Sequence, residues 1–139
     1  MEIKVFNSLP KDALDLRIKV FVNEQGFVDE VDEADNFSTH LVMYDNDNPV
    51  ATCRFFLKED NETYMFGRLC VLKEYRGKSL GREMLKRVEE IVKEKGGKAI
   101  ILHSQYHAKD FYIRCGFTQQ GEIDYEQNKP HAWMRKEIN

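Results

Sequence analysis

With 139 residues the chain has room for one substantial core, burying roughly two thirds of the surface its unfolded form would expose. Its 42% hydrophobic and 32% charged residues are those of a globular protein, and no apolar run approaches the ~20 residues of a membrane span. A formal net charge of -3, with acids and bases interspersed, excludes general attraction to nucleic acid or anionic membranes, so any anion site must be local.

Alternation over residues 2–6 predicts a first strand, and the run 11–24 predicts a helix. Its Leu14, Leu16, Ile18, Val20 and Phe21 exceed a narrow stripe and imply burial on more than one side. Gln25-Gly26 ends it. Residues 27–38 mix acids with Phe27, Val28, Val31 and Phe37 without a period and read as a long loop that packs its own apolar groups. Strands at 40–44, 50–57 and 63–72 follow, turned at Asn46-Asp47-Asn48-Pro49 and Lys58-Glu59-Asp60-Asn61, as in an antiparallel meander.

Next comes Val71-Leu72-Lys73-Glu74-Tyr75-Arg76-Gly77-Lys78-Ser79-Leu80-Gly81, which ends an apolar strand, turns through glycines and bases, and opens an amphipathic helix. Such a loop is suited to phosphate: the first N–H groups of the helix point back at it, the helix dipole adds partial positive charge, and glycine lets an anion approach the main chain. A P-loop would need glycine at position 72, which is Leu72, so the nucleotide-triphosphatase reading fails at its first residue. Leu80, Met84, Leu85, Val88, Ile91 and Val92 line one helix face, opposite charges that include Glu83/Arg87 and Glu89/Lys93, until Gly96-Gly97 stops it.

Ala99-Ile100-Ile101-Leu102 is a short continuous apolar run, expected of a parallel strand covered on both faces. Strand, helix and strand then form a βαβ crossover. A short helix at 108–115 is stopped by Gly116, and strands at 117–125 and 132–137 close the chain. No repeat, linker or low-complexity segment interrupts residues 1–139, so a single domain is expected. Cys53, Cys70 and Cys115 are odd in number and widely spaced among apolar neighbours, which suits reduced thiols. The start, Met1-Glu2-Ile3-Lys4, lacks the layout of an export signal, so a cytoplasmic location is expected.

Arg76-Gly77-Lys78-Ser79-Leu80-Gly81 resembles the coenzyme-binding motif Gln/Arg-x-x-Gly-x-Gly/Ala of the GNAT N-acetyltransferases, with Ser79 standing where the family has its middle glycine. Lys109-Asp110-Phe111-Tyr112-Ile113-Arg114-Cys115-Gly116-Phe117 matches the family's Phe-Tyr-x-x-x-Gly-Phe helix. Residues 16–25 with Asp32, Asp35 and His40, and the ending His131-Ala132-Trp133-Met134, are similar to the ElaA-like and YjcF-like branch. The resemblance spans the chain. It implies an α/β fold with a mostly antiparallel mixed sheet of six to seven strands, a splayed parallel pair and about four flanking helices.

It further implies acetyl-CoA as cosubstrate, its pyrophosphate held at Arg76, Gly77, Lys78, Ser79, Leu80 and Gly81 and its pantetheine arm paired with the strand edge at Leu69, Cys70 and Val71. Similar enzymes place a tyrosine at the Tyr112 position beside the sulfur of coenzyme A, where its phenol, protonated at neutral pH, serves as acid to the thiolate. They use a histidine at the His131 position as base, with Glu24 or water as alternatives. Tyr106 is the nearest substitute for the acid. Arg68 interrupts an apolar strand and a buried guanidinium needs an anionic partner, which is either substrate or an internal salt bridge to Glu24 or Asp35. Arg17 and Arg54 are candidates to converge on the same substrate anion.

The leading expectation is an N-acetyltransferase acting on a small, anionic amine. Competing readings are a non-catalytic acyl-CoA-binding sensor or interaction module, and a protein lysine acetyltransferase. The four histidines show no metal-site spacing, so no metal is expected. No nucleic acid or membrane partner is expected either, and a homodimer is what similar proteins imply.

Overall fold

The structure, a computed structural model, describes residues 1–28 and 31–139. Its strands are β1 (Glu2–Phe6), β2 (Thr39–Asp45), β3 (Asn48–Leu57), β4 (Thr63–Val71), β5 (Ala99–Gln105), β6 (Thr118–Glu126) and β7 (Lys129–Glu137). The α-helices are α1 (Lys11–Arg17), α2 (Leu80–Glu94) and α3 (Lys109–Arg114). The strands form one mixed sheet of order β1-β2-β3-β4-β5-β7-β6, in which β4 and β5 are the parallel pair and β1–β2, β2–β3, β5–β7 and β6–β7 are antiparallel. This is the expected mixed α/β architecture, with seven strands and, among the described residues, three α-helices where about four were expected.

Two compact units make up the chain, residues 1–56 with 68–88 and residues 57–67 with 89–139. In the first, β2 is buried on both faces, and Ala13, Leu16, Val20, Phe21, Phe27, Val42, Tyr44 and Cys70 form a core that Phe6, Leu9 and Leu72 extend. The predicted helix 11–24 is not uniform: α1 stops at Arg17 and a π-helical segment, Ile18–Glu24, continues it. Gln25 N–H donates to Val20 O, five residues back, at 3.0 Å. The β-branched Ile18, Val20 and Val22 crowd a regular α-turn, and widened turns of this kind cluster at functional sites.

The β2–β3 turn is shorter than predicted, because Asn48 and Pro49 already belong to β3 and Asn46 takes the left-handed φ of 57° that a tight hairpin needs. The long acidic loop contains a 3-10 turn, Glu33–Asn36, capped reciprocally by Asp32 and Asp35. Its positions 29 and 30 lie outside the described residues.

In the second unit, residues 63–66 of β4 pair with 99–102 of β5, and Ala99, Ile100 and Leu102 are buried, as the apolar run foretold. β4 runs on to Val71 and β5 to Gln105, with a left-handed Arg68, φ 53°, just after the paired stretch. Gly97 lies so close to its surroundings that a Cβ there would stand 2.5 Å from Val92 Cγ1 and 2.8 Å from Tyr64. The helix α3 is shorter than predicted because a 3-10 turn, Tyr106–Ala108, precedes it. β6 is an almost wholly exposed edge strand, irregular between Gln120 and Asp124 where it faces β7; such irregularity blunts an open edge.

Candidate active site

The glycine loop of the first unit is exposed, and the two residues that lead into it are both anchored. Tyr75 donates its hydroxyl to Asp45 at 2.8 Å. Arg76 donates through Nη1 and Nη2 to both oxygens of Glu24 at 2.6 and 2.8 Å, and through Nε to Val71 O at 3.0 Å. Gly77 and Ser79, which follow these two anchors, are left-handed, with φ of 80° and 64°, and Lys78 Nζ lies over the Tyr75 ring at 5.3 Å. Glu83 N–H already donates to Ser79 O, so α2 starts directly out of the loop and aims its first N–H groups there.

Glu24 therefore sits at the phosphate-type loop. The hydrogen bond from Arg76 holds its carboxyl below the usual range despite the opposing cost of desolvation, which weakens it as a base. Its pairing was not legible from spacing, since 52 residues separate the partners.

Arg17, Arg54 and Arg68 do lie together, on a ladder of carboxylates. Arg17 donates to both oxygens of Asp35 at 2.8 and 2.9 Å. Arg54 bonds Asp35 at 2.9 Å and grips both oxygens of Asp32, and Arg68 reaches Asp32 at 3.3 Å. Arg68 thus meets Asp32, while Glu24 bonds Arg76 and Asp35 bonds Arg17 and Arg54. Arg17, a candidate for the substrate anion, is 1% exposed, and Arg54, the other, is buried too; each is matched by a hydrogen-bonded carboxylate, as a guanidinium out of water must be.

Burial pushes the Asp35 carboxyl up, but the hydrogen bonds from Arg17 and Arg54 outweigh it and hold the group well below the ordinary carboxylate range. His40 Nε2 approaches Asp35 O at 3.1 Å, and desolvation lowers its pKa. The side chain of Arg68 is 25% exposed, more than that of either other arginine. On the same stretch of β4, Leu69 and Val71 are half-buried and Cys70 is buried.

In the second unit Tyr112 lies on α3, 7% exposed, its ring edge-on to Phe66, Phe111 and Phe117 at centroid distances of 6.4, 5.0 and 5.8 Å. Tyr106, by contrast, is exposed beneath Lys109 Nζ. His131 is buried on β7, its Nδ1 at 2.9 Å from Lys129 O. Beside it, His103 of β5 stacks on Trp133 at 4.5 Å and lies 4.6 Å from the His131 ring. His103 Nε2 meets Asp124 Oδ1 at 2.7 Å and its Nδ1 is 3.5 Å from Glu126.

This imidazole cluster escaped the spacing argument because its members come from three strands. Only the pairing of β5, β7 and β6 brings His103, Glu126 and His131 together, each with a ligand-type atom within 4.8 Å of the others. The expectation of no metal rested on spacing along the chain, and the sheet removes that ground.

The family model for the acetyltransferase (GNAT) domain matches residues 11–138. The chain is 34% identical over 130 residues to the uncharacterized N-acetyltransferase YjcF of Bacillus subtilis, covering 91% of each. It is 30% identical to a protein of known structure from Lactobacillus plantarum, with a TM-score of 0.89 and full coverage of both chains. The crystal structure of Escherichia coli ElaA is 28% identical with a TM-score of 0.85, covering 98% of this chain and 99% of that one.

Proposed function

The chain belongs to the GNAT acetyltransferase family, and we propose that it moves an acetyl group from acetyl-CoA to the amine of a small, anionic acceptor. The match of one family model over residues 11–138 supports reading 1–139 as one acetyltransferase domain. The observation that carries the proposal is the loop 76–81, where left-handed Gly77 and Ser79 lie exposed at the start of α2. That geometry suits a pyrophosphate on main-chain N–H groups. The edge at Leu69, Cys70 and Val71 is read as the partner of the pantetheine amides, since extended backbone recognises amides by adding a strand.

In the reaction the neutral amine attacks the thioester carbonyl, the C–S bond breaks, and its electron pair leaves on sulfur. Tyr112 supplies the proton to that thiolate, and His131 takes the proton that the amine nitrogen sheds. His131 suits the base because an Nδ1 proton directed at Lys129 O places a lone pair on Nε2. Glu24, held by Arg76, is the poorer base. Among the arginines, exposure favours Arg68 for the acceptor's anionic group, while Arg17 and Arg54 hold Asp35 and Asp32 in position for it. A cytoplasmic location, and a homodimer as in similar proteins, go with this reading.

The test is a thiol-release assay with acetyl-CoA over a panel of amino acids, amino sugars, their phosphates and polyamines. Wild type should turn over anionic amines, and Tyr112→Phe should lower kcat by ~10² or more with little change in affinity for coenzyme A. Coenzyme A binding without turnover of any amine would leave the non-catalytic module as the better reading.

A further inference from the structure

We propose that His103, His131 and Glu126 form a binding site for a divalent zinc ion. Two imidazoles and a carboxylate are a nitrogen and oxygen donor set suited to zinc, three protein ligands with a fourth position open to water. Each comes from a different strand of one antiparallel β5–β7–β6 layer. His103 faces Trp133 across β5–β7, His131 is two residues from Trp133 on the same side of β7, and Asp124 faces His131 across β6–β7.

The hydrogen bonds around the rings form the outer shell that zinc-binding histidines have. Such a histidine directs one ring nitrogen at the metal and donates the other N–H to a carboxylate or a main-chain carbonyl, which fixes the tautomer. Both kinds of partner occur here: Asp124 Oδ1 at 2.7 Å from His103 Nε2, and Lys129 O at 2.9 Å from His131 Nδ1. Protons on those nitrogens place the lone pairs on His103 Nδ1 and His131 Nε2, and His103 Nδ1 is the atom that faces Glu126 Oε1 at 3.5 Å.

Ligand atoms in a tetrahedral zinc site stand roughly 3.4 Å apart, given bonds of about 2.0–2.2 Å. One ligand-type atom from each of the three residues lies within 4.8 Å of the other two, so closure asks for a shift of about an ångström. Glu126, long and 53% exposed, supplies that movement. The two histidines are held: His131 is buried, and His103 is clasped between Trp133 and His131.

Bound zinc would draw on the Nε2 lone pair of His131, so acetyl transfer should be inhibited by zinc and restored by a chelator. That consequence rests on His131 being the base; the binding does not. The test is calorimetric titration of chelator-stripped protein with zinc chloride, paired with the visible spectrum of the cobalt(II) complex. Wild type should bind one zinc at micromolar or tighter concentration. Glu126→Gln, an exposed substitution that leaves the core untouched, should weaken binding at least tenfold, as should Asp124→Asn through the orientation of His103, and His103→Ala should weaken it further.

Cys115→Ser should leave binding unchanged, and the cobalt spectrum should lack the thiolate charge-transfer band. Absence of zinc binding, wild-type affinity in Glu126→Gln and His103→Ala, or loss of binding in Cys115→Ser would each overturn the site. Zinc that binds as described yet leaves turnover unchanged would support the site and overturn His131 as the base.

Discussion

At Asp35 one buried carboxylate answers two buried guanidinium groups, those of Arg17 and Arg54. Removing its charge breaks the buried ion pair with Arg17 and weakens the hold on Arg54, which keeps Asp32; breaking a buried pair of this kind costs about 3–5 kcal/mol. Asp35→Asn should therefore lower the urea midpoint strongly at pH 7, whereas Glu24→Gln, at an exposed ion pair, should barely move it. The sign with pH follows from the lowered carboxyl of Asp35. Its stabilisation is complete above the unfolded value near ~3.9 and is lost as pH falls through the still lower folded value. The gap between wild type and Asp35→Asn should thus stay constant through neutral pH and narrow only in strong acid. A gap that closes already between pH 6 and 5 would mean that another group governs it.

Ser79 carries a second residue-scale prediction. A left-handed φ costs a residue with a Cβ about 1–2 kcal/mol, against roughly 0.5–1 kcal/mol of extra chain entropy lost by glycine. Ser79→Gly, which restores the family's middle glycine, should raise stability by about 0.5–1 kcal/mol and retain coenzyme A binding. A lower thermal midpoint would show that the serine hydroxyl makes a contact the loop needs.

Among the elements, those written in local pattern were legible: the alternation of β1, the apolar face of α2, the continuous run of β5 and the glycine loop between strand and helix. The π-helical segment at Ile18–Glu24 was not, because it shares the apolar content of an α-helix and differs only in hydrogen-bond register. Arg68 on β4 signalled that an anion was required, but which carboxylate answers it depends on how the acidic loop folds back, and Asp32 is 36 residues away. The His103–His131–Glu126 cluster is likewise a product of strand pairing and leaves no spacing signature. One element boundary is testable through Gly97, which ends the turn after α2. With Val92 and Tyr64 closer than a Cβ tolerates, Gly97→Ala should destabilise by about 1–3 kcal/mol through overpacking. An unchanged urea midpoint would mean that the turn relaxes without strain.

For the whole molecule, the sheet order and the family match place the chain among acetyltransferases, and the account turns on where it holds coenzyme A. No helix among the described residues is long and apolar enough to cross a membrane, and the proposed anion site is local to the start of α2. The most direct measurement is calorimetric titration of coenzyme A into wild type and into Gly81→Asp, with folding of the variant checked by its thermal melt. Wild type should bind, and the variant, with a carboxylate set among the N–H groups that would face pyrophosphate, should lose at least tenfold in affinity while staying folded. Undiminished binding by folded Gly81→Asp would contradict the account and put the cofactor elsewhere.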